Sequence, residues 1–104
     1  MYTIKLDKAI IIKEKEVTAL NFDFEKLKGK DLLKAEKKAR LLNPRIINLI
    51  TDFTYLSQVA SIAGDVPFYI LEDLPARTFN LLMMNVANFL NTPLEQTQKT
   101  SQSN

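Results

Sequence analysis

The hydrophobic pattern changes period once, near Asp23, and that switch dictates strands first and helices afterwards. Before it, Tyr2, Ile4 and Leu6 alternate with Thr3, Lys5 and Asp7, the period of a half-buried strand. Ile10-Ile11-Ile12 is a β-branched run that suits a second strand, and Val17, Ala19 and Phe22 suggest a third. Lys13-Glu14-Lys15-Glu16 stands between them as a charged turn, although it lacks the Asn-Gly or Asp-Gly pair that hairpins favour.

After Asp23 the spacing becomes helical. Phe24 to Leu27 reads as a single turn broken at Gly29. From Lys30 to Leu42, the residues Leu32, Ala35, Ala39 and Leu42 fall on one narrow face, with lysines and Arg40 on the rest. Asn43-Pro44 then offers an N-cap followed by proline at the first helical position, which predicts a second helix from about Pro44 to Ala63. Its apolar face carries Ile46, Leu49, Ile50, Phe53, Leu56 and Ala60, while Asn48, Thr51, Thr54, Gln58 and Ser61 lie mostly opposite. Gly64 is expected to end it as a C′ residue. Asp65 to Leu74 reads as a turn and a short helix. Pro75 opens the last helix, to about Asn91, with Phe79, Leu82, Met83, Val86, Phe89 and Leu90 inward.

The expected fold class is α+β, mainly α: short antiparallel N-terminal strands followed by a three-helix domain. One globular domain is expected over 1–91, with strands in 1–22 and helices in 23–91. A polar, patternless stretch over 92–104 reads as a flexible tail. A chain of 104 residues buries a modest core unaided.

Composition narrows the function. There is no cysteine and no histidine. Disulfides, thiolate metal sites and imidazole acid–base chemistry are therefore excluded. No arrangement of carboxylate, lysine, tyrosine or serine resembles a catalytic site, so neither enzyme activity, metal nor cofactor is expected. No apolar run reaches a membrane span and the N-terminus carries no secretory pattern, so a cytoplasmic protein is expected.

Three features compete as carriers of function. Eleven of the fourteen basic residues lie between Lys5 and Arg40 beside seven acids, which makes that segment +4 and the remainder −2. Asp31 and Glu36 are interspersed with Lys34, Lys37 and Lys38, and mixed signs read as a solvated face. Ser57 to Gly64 echoes the first half of a helix-turn-helix. The recognition helix that should follow offers Phe68, Tyr69, Glu72 and Asp73, and no basic residue lies between Arg45 and Arg77. Acids against phosphates repel, so nucleic acid is not expected as a partner. Third, apolar side chains lie off the helix stripes: Leu33 and Leu41, Ile47 and Ile62, Leu81 and Met84. Either a small domain wraps more than one face of each helix, or these form a partner surface. Ile47, Ile62, Leu81 and Met84 are the candidate partner-binding residues, and Met84 is of the adaptable kind such surfaces use.

The order of landmarks resembles the tail assembly chaperones of tailed bacteriophages. The similarity runs through Ile4-Lys5-Leu6-Asp7-Lys8-Ala9-Ile10, Val17 to Phe24 and Leu27-Lys28-Gly29-Lys30-Asp31-Leu32. It continues in Ala35 to Arg40, Leu74-Pro75, Phe79 and Val86-Ala87-Asn88-Phe89-Leu90. Two positions depart from the pattern: Ala9 stands where proline is expected, and Lys28 where Thr or Ser would cap the helix, leaving Asp31 to face the helix N-terminus. The resemblance implies a non-catalytic protein that binds the long helical tape-measure protein, with the tail tube protein as a further partner, before the tail tube polymerises. It implies a place in the cytoplasm of the bacterial host, absence from the finished virion, and self-association as a homo-oligomer. A small structural tail or capsid component is the alternative, with a helical DNA-binding regulator behind it.

Overall fold

A computed structural model of the chain describes residues 1–92. The fold is α+β and mainly α, with a two-stranded antiparallel sheet leading into helices. The expected polar tail lies, beyond Thr92, outside the described residues.

Two strands replace the three expected. β1 runs Tyr2–Ile12 and β2 runs Lys15–Phe22. Tyr2 pairs with Phe22, Ile4 with Leu20, Ile10 with Val17 and Ile12 with Lys15, with an irregularity between Lys5 and Ile10. The two apolar runs expected as separate strands are therefore halves of one. Asp7-Lys8-Ala9 contains no glycine, proline or asparagine to reverse the chain, so it bulges instead and continues. The reversal is confined to Lys13 and Glu14, both at positive φ (54° and 66°). Two such residues between paired strands make the turn whose twist matches the strands.

That turn is built from residues that disfavour it. A left-handed non-glycine residue is destabilised by roughly 1–2 kcal/mol. Glu14→Gly should therefore stabilise the hairpin by about 1 kcal/mol and raise Tm by about 4–8 °C in a thermal melt. An unchanged Tm would mean that the Glu14 side chain compensates by a contact of its own. Lys13 is the poorer choice for substitution, because its Nζ lies 3.0 Å from Asp65 Oδ2.

A lone hairpin is marginal in water, and here β2 packs on the helices. α1 (Gly29–Leu42) begins where Asp31 Oδ2 accepts the Lys28 backbone N–H at 2.9 Å. This is the reciprocal half of a capping box, the half that does not depend on the Lys28 side chain. Its inward face is Ala35 and Ala39, both fully buried, with Leu32 packed beside them. Leu42, expected on that face, is exposed because it is the last helical residue and lies beyond the packed stretch.

The second long helix starts nine residues later than Pro44. α2 spans Phe53–Gly64, preceded by a 3-10 turn at Leu49–Thr51. Asp52 is the cap, with its Oδ1 accepting the Thr54 N–H at 2.8 Å. The Asn43 carboxamide instead accepts the Arg45 N–H at 3.2 Å, closing a turn rather than opening a helix. α2 is the hub of the fold and packs against α1, β2 and the two helices that follow. Tyr55 through Ala60 are all buried, including Ser57 and also Gln58, which was expected to lie opposite the apolar face. A helix surrounded on every side has no solvent face to give its polar residues. Ser57 Oγ donates to Thr54 O at 2.9 Å. Ile50 and Phe53, expected inward, are about half exposed at the helix entry.

Gly64 does not end α2 as a left-handed residue. It is the last helical residue, and Asp65 takes the left-handed conformation (φ 52°, ψ 47°). Gly64 is needed for a different reason: a Cβ there would lie 2.6 Å from Phe22 Cδ2 and 3.2 Å from Asn21 O. The end of β2 rests directly on the end of α2, and Asp23 N–H donates to Ala63 O at 3.2 Å. α3 (Phe68–Glu72) is the short helix expected, and α4 spans Ala76–Asn91 behind Pro75. Leu82, Met83 and Val86 of α4 are fully buried.

Candidate partner-binding surface

Ile46 and Ile47 are chain neighbours with opposite fates. The Arg40 guanidinium, tied to Glu36 Oε2 at 3.0 Å, also donates to Ile46 O at 3.3 Å. That grip on the segment leaving α1 goes with a buried Ile46 and turns Ile47 outward, where it is 98% exposed. Ile47 therefore lies on a connecting segment, not on the second helix as expected. The 3-10 turn that follows it packs against α4.

Leu81 and Met84 are one turn apart on α4 and about half exposed. At 100° per residue they share a stripe with Asn80, Asn88 and Asn91, all exposed. Asparagine is a poor helix former because its amide competes with the backbone. Here the amides are folded back along the helix: Asn85 Nδ2 donates to Leu81 O at 2.8 Å and Asn91 Nδ2 to Ala87 O at 2.7 Å. Asn80 Nδ2 lies 3.7 Å from the Met84 sulfur. The stripe is uncharged from Asn80 to Asn91.

Ile62 does not join this surface. It is half-buried near the end of α2, in a cleft of about 310 Å³ lined also by Lys13, Lys34, Lys38 and Val66, which Ile47, Leu81 and Met84 do not line. Three of the four candidate residues are thus presented to solvent, and the fourth serves partly as packing.

A second apolar feature was not foreseen as a site. Phe53, Phe68 and Phe79 line an open cleft of about 410 Å³ with Ser57, Glu72 and Leu74. Phe53 and Phe79 meet edge to face, with centroids 5.9 Å apart at 65°. Both had been assigned to core faces by helical angle. Their helical faces could be read from the sequence, but the place of Phe53 at the start of α2 could not, and the cleft depends also on where α3 sits.

Among the described residues no group of three or more acidic, histidine or cysteine side chains could hold a metal. No described helix is long and apolar enough to cross a membrane. Among the described residues, the titratable group that the fold clearly shifts is Tyr55. Burial first, and the Glu36 carboxylate second, raise the Tyr55 phenol above its ordinary value. Below the unfolded-chain value of 10.0 the phenol is neutral in both states. As pH rises past it the unfolded chain ionises first, so stability is lost until the raised folded value is passed. Denaturation at pH 8 and at about pH 10.5 should show a decline that Tyr55→Phe makes shallower. An equal decline in the variant would assign it to other groups.

No family model, curated protein or solved structure matches the chain.

Proposed function

We propose that the chain is a tail assembly chaperone, a non-catalytic protein that binds the tape-measure protein during phage tail morphogenesis. The observation that carries this reading is the uncharged stripe of α4, where Leu81 and Met84 stand half exposed among asparagines. Fully burying one such side chain against a partner is worth about 1.5–3 kcal/mol. Carboxamides at the edge can hydrogen-bond a partner without the desolvation penalty of charge. A long amphipathic helix is the natural occupant of such a surface, because its own apolar stripe needs cover until its final partners assemble. Ile47, on the segment before the 3-10 turn that packs against α4, is a further exposed apolar side chain. The resemblance supplies the identity of that helix. It also supplies the setting: host cytoplasm, no cofactor, the tail tube protein as a second partner, and release before the virion is complete.

The reading expects a neighbouring gene for a long, helix-rich protein, and co-expression with that protein tests the proposal. The two should co-elute, and the partner should stay soluble only in the chain's presence. Stoichiometric recovery of the chain from purified particles would instead make it a structural tail or capsid component. A salt-sensitive shift of duplex DNA would favour the regulator.

A further inference from the structure

We propose that the outward face of α1 is a second docking surface, for an acidic amphipathic segment of another protein. In sequence the charges of this helix are mixed; in the fold they are sorted. Asp31 is drawn to the helix start by the Lys28 N–H. Glu36 sits on the flank in its pair with Arg40. At 100° per residue Lys30, Leu33, Lys34, Lys37 and Leu41 then share the outer face, with Lys38 at its edge. All six are exposed, and none of the four lysines has an ion-pair partner among the described residues.

The two leucines decide what kind of anion fits. Leu33 is 69% and Leu41 78% exposed. Eight residues apart, they are separated by about 12 Å along the axis. The complement is a segment with two apolar side chains at that spacing and carboxylates on either side. Phosphates of a duplex would satisfy the lysines and leave both leucines in water. The face also lacks the aromatics and available arginines that stack on bases, since Arg40 is held by Glu36 and by Ile46 O. A lipid surface needs a broad apolar face to bury, and the apolar face of α1, Ala35 and Ala39, is already inside the protein. An acidic amphipathic helix meets every requirement at once. This surface is on a different helix from Leu81 and Met84, so the two proposals stand or fall separately.

The test is a titration of the isotope-labelled full chain, followed by NMR, with a synthetic helical peptide of about 18 residues, long enough to span α1. The peptide carries two leucines eight residues apart with glutamates flanking them. Shifts should be confined to residues 30–41 and the neighbouring hairpin turn. The triple variant Lys34→Glu, Lys37→Glu, Lys38→Glu should weaken binding at least about tenfold, since like charges then meet. Leu33→Ser with Leu41→Ser should weaken it several-fold with all charges kept, and as exposed positions they leave folding intact. No shift on α1 at roughly millimolar peptide overturns the proposal. So does binding that ignores the leucine variant, or tighter binding to a DNA duplex or to phosphatidylglycerol vesicles run in parallel.

Discussion

Phe22→Ala should destabilise the fold by about 3–5 kcal/mol, and Gly64→Ala should be harmful only while Phe22 is present. Phe22 is fully buried at the end of β2. Its ring lies 6.3 Å from that of Tyr2 and stacks at 6.5 Å on Phe24, so its loss opens a cavity that rigid neighbours cannot collapse. A methyl at Gly64 would meet Cδ2 and Cε2 of the same ring at 2.6 and 2.8 Å. Overpacking of this kind costs about 1–3 kcal/mol. Against it stands the gain of about 1 kcal/mol for replacing glycine by alanine in a helix. In the Phe22→Ala background the ring contact disappears and the helical gain remains. Gly64→Ala should then become neutral or mildly stabilising, apart from the Asn21 O contact at 3.2 Å. Urea denaturation of the four proteins gives the coupling energy directly. Simple additivity would mean that the strand end slides away from α2 at little cost, and that the close approach is not what glycine is for.

The same contact marks where sequence reasoning stops. The change of period at Asp23, the inward Ala35 and Ala39, and the inward Leu82, Met83 and Val86 follow from angular position alone, and the structure has them so. Gly64 was read as a chain terminator because that role is local. Its actual role depends on a ring 42 residues away in sequence, brought there by the packing of β2 on α2. The start of α2 failed for a related reason. Asn43-Pro44 and Asp52 are both plausible caps, and the choice falls to Asp52 once Arg40 has bound the Ile46 carbonyl and that side chain is buried. The candidate surface divides along the same line. Exposure of Leu81 and Met84 could be read from their offset from the stripe of α4. The half-burial of Ile62 and the three-phenylalanine cleft require knowing which elements touch, and the sorting of charge on α1 rests on helical angle with the local bonds of Asp31 and Glu36.

Leu81→Asp combined with Met84→Asp should abolish capture of the tape-measure protein while leaving the chain folded. Each position is about half exposed, and the core of α4 is carried by Leu82, Met83 and Val86, which are untouched. Aspartate is a weaker helix former than either residue, so the double variant should lose only about 1 kcal/mol of stability. Its effect on binding is of another order. Loss of an apolar anchor at the centre of an interface costs about 2 kcal/mol or more, and two charges facing an apolar stripe add desolvation that nothing repays. Affinity should fall by a factor of a hundred or more, roughly 2.7 kcal/mol and upward. Leu82→Ala is the informative contrast. It should lose about 2–5 kcal/mol of stability, and any loss of binding should track the unfolded fraction. Full capture by a folded Leu81→Asp, Met84→Asp chain would remove α4 from the interface and take the chaperone proposal's main support with it. Unfolding of that variant would show instead that half-exposed Leu81 and Met84 are structural.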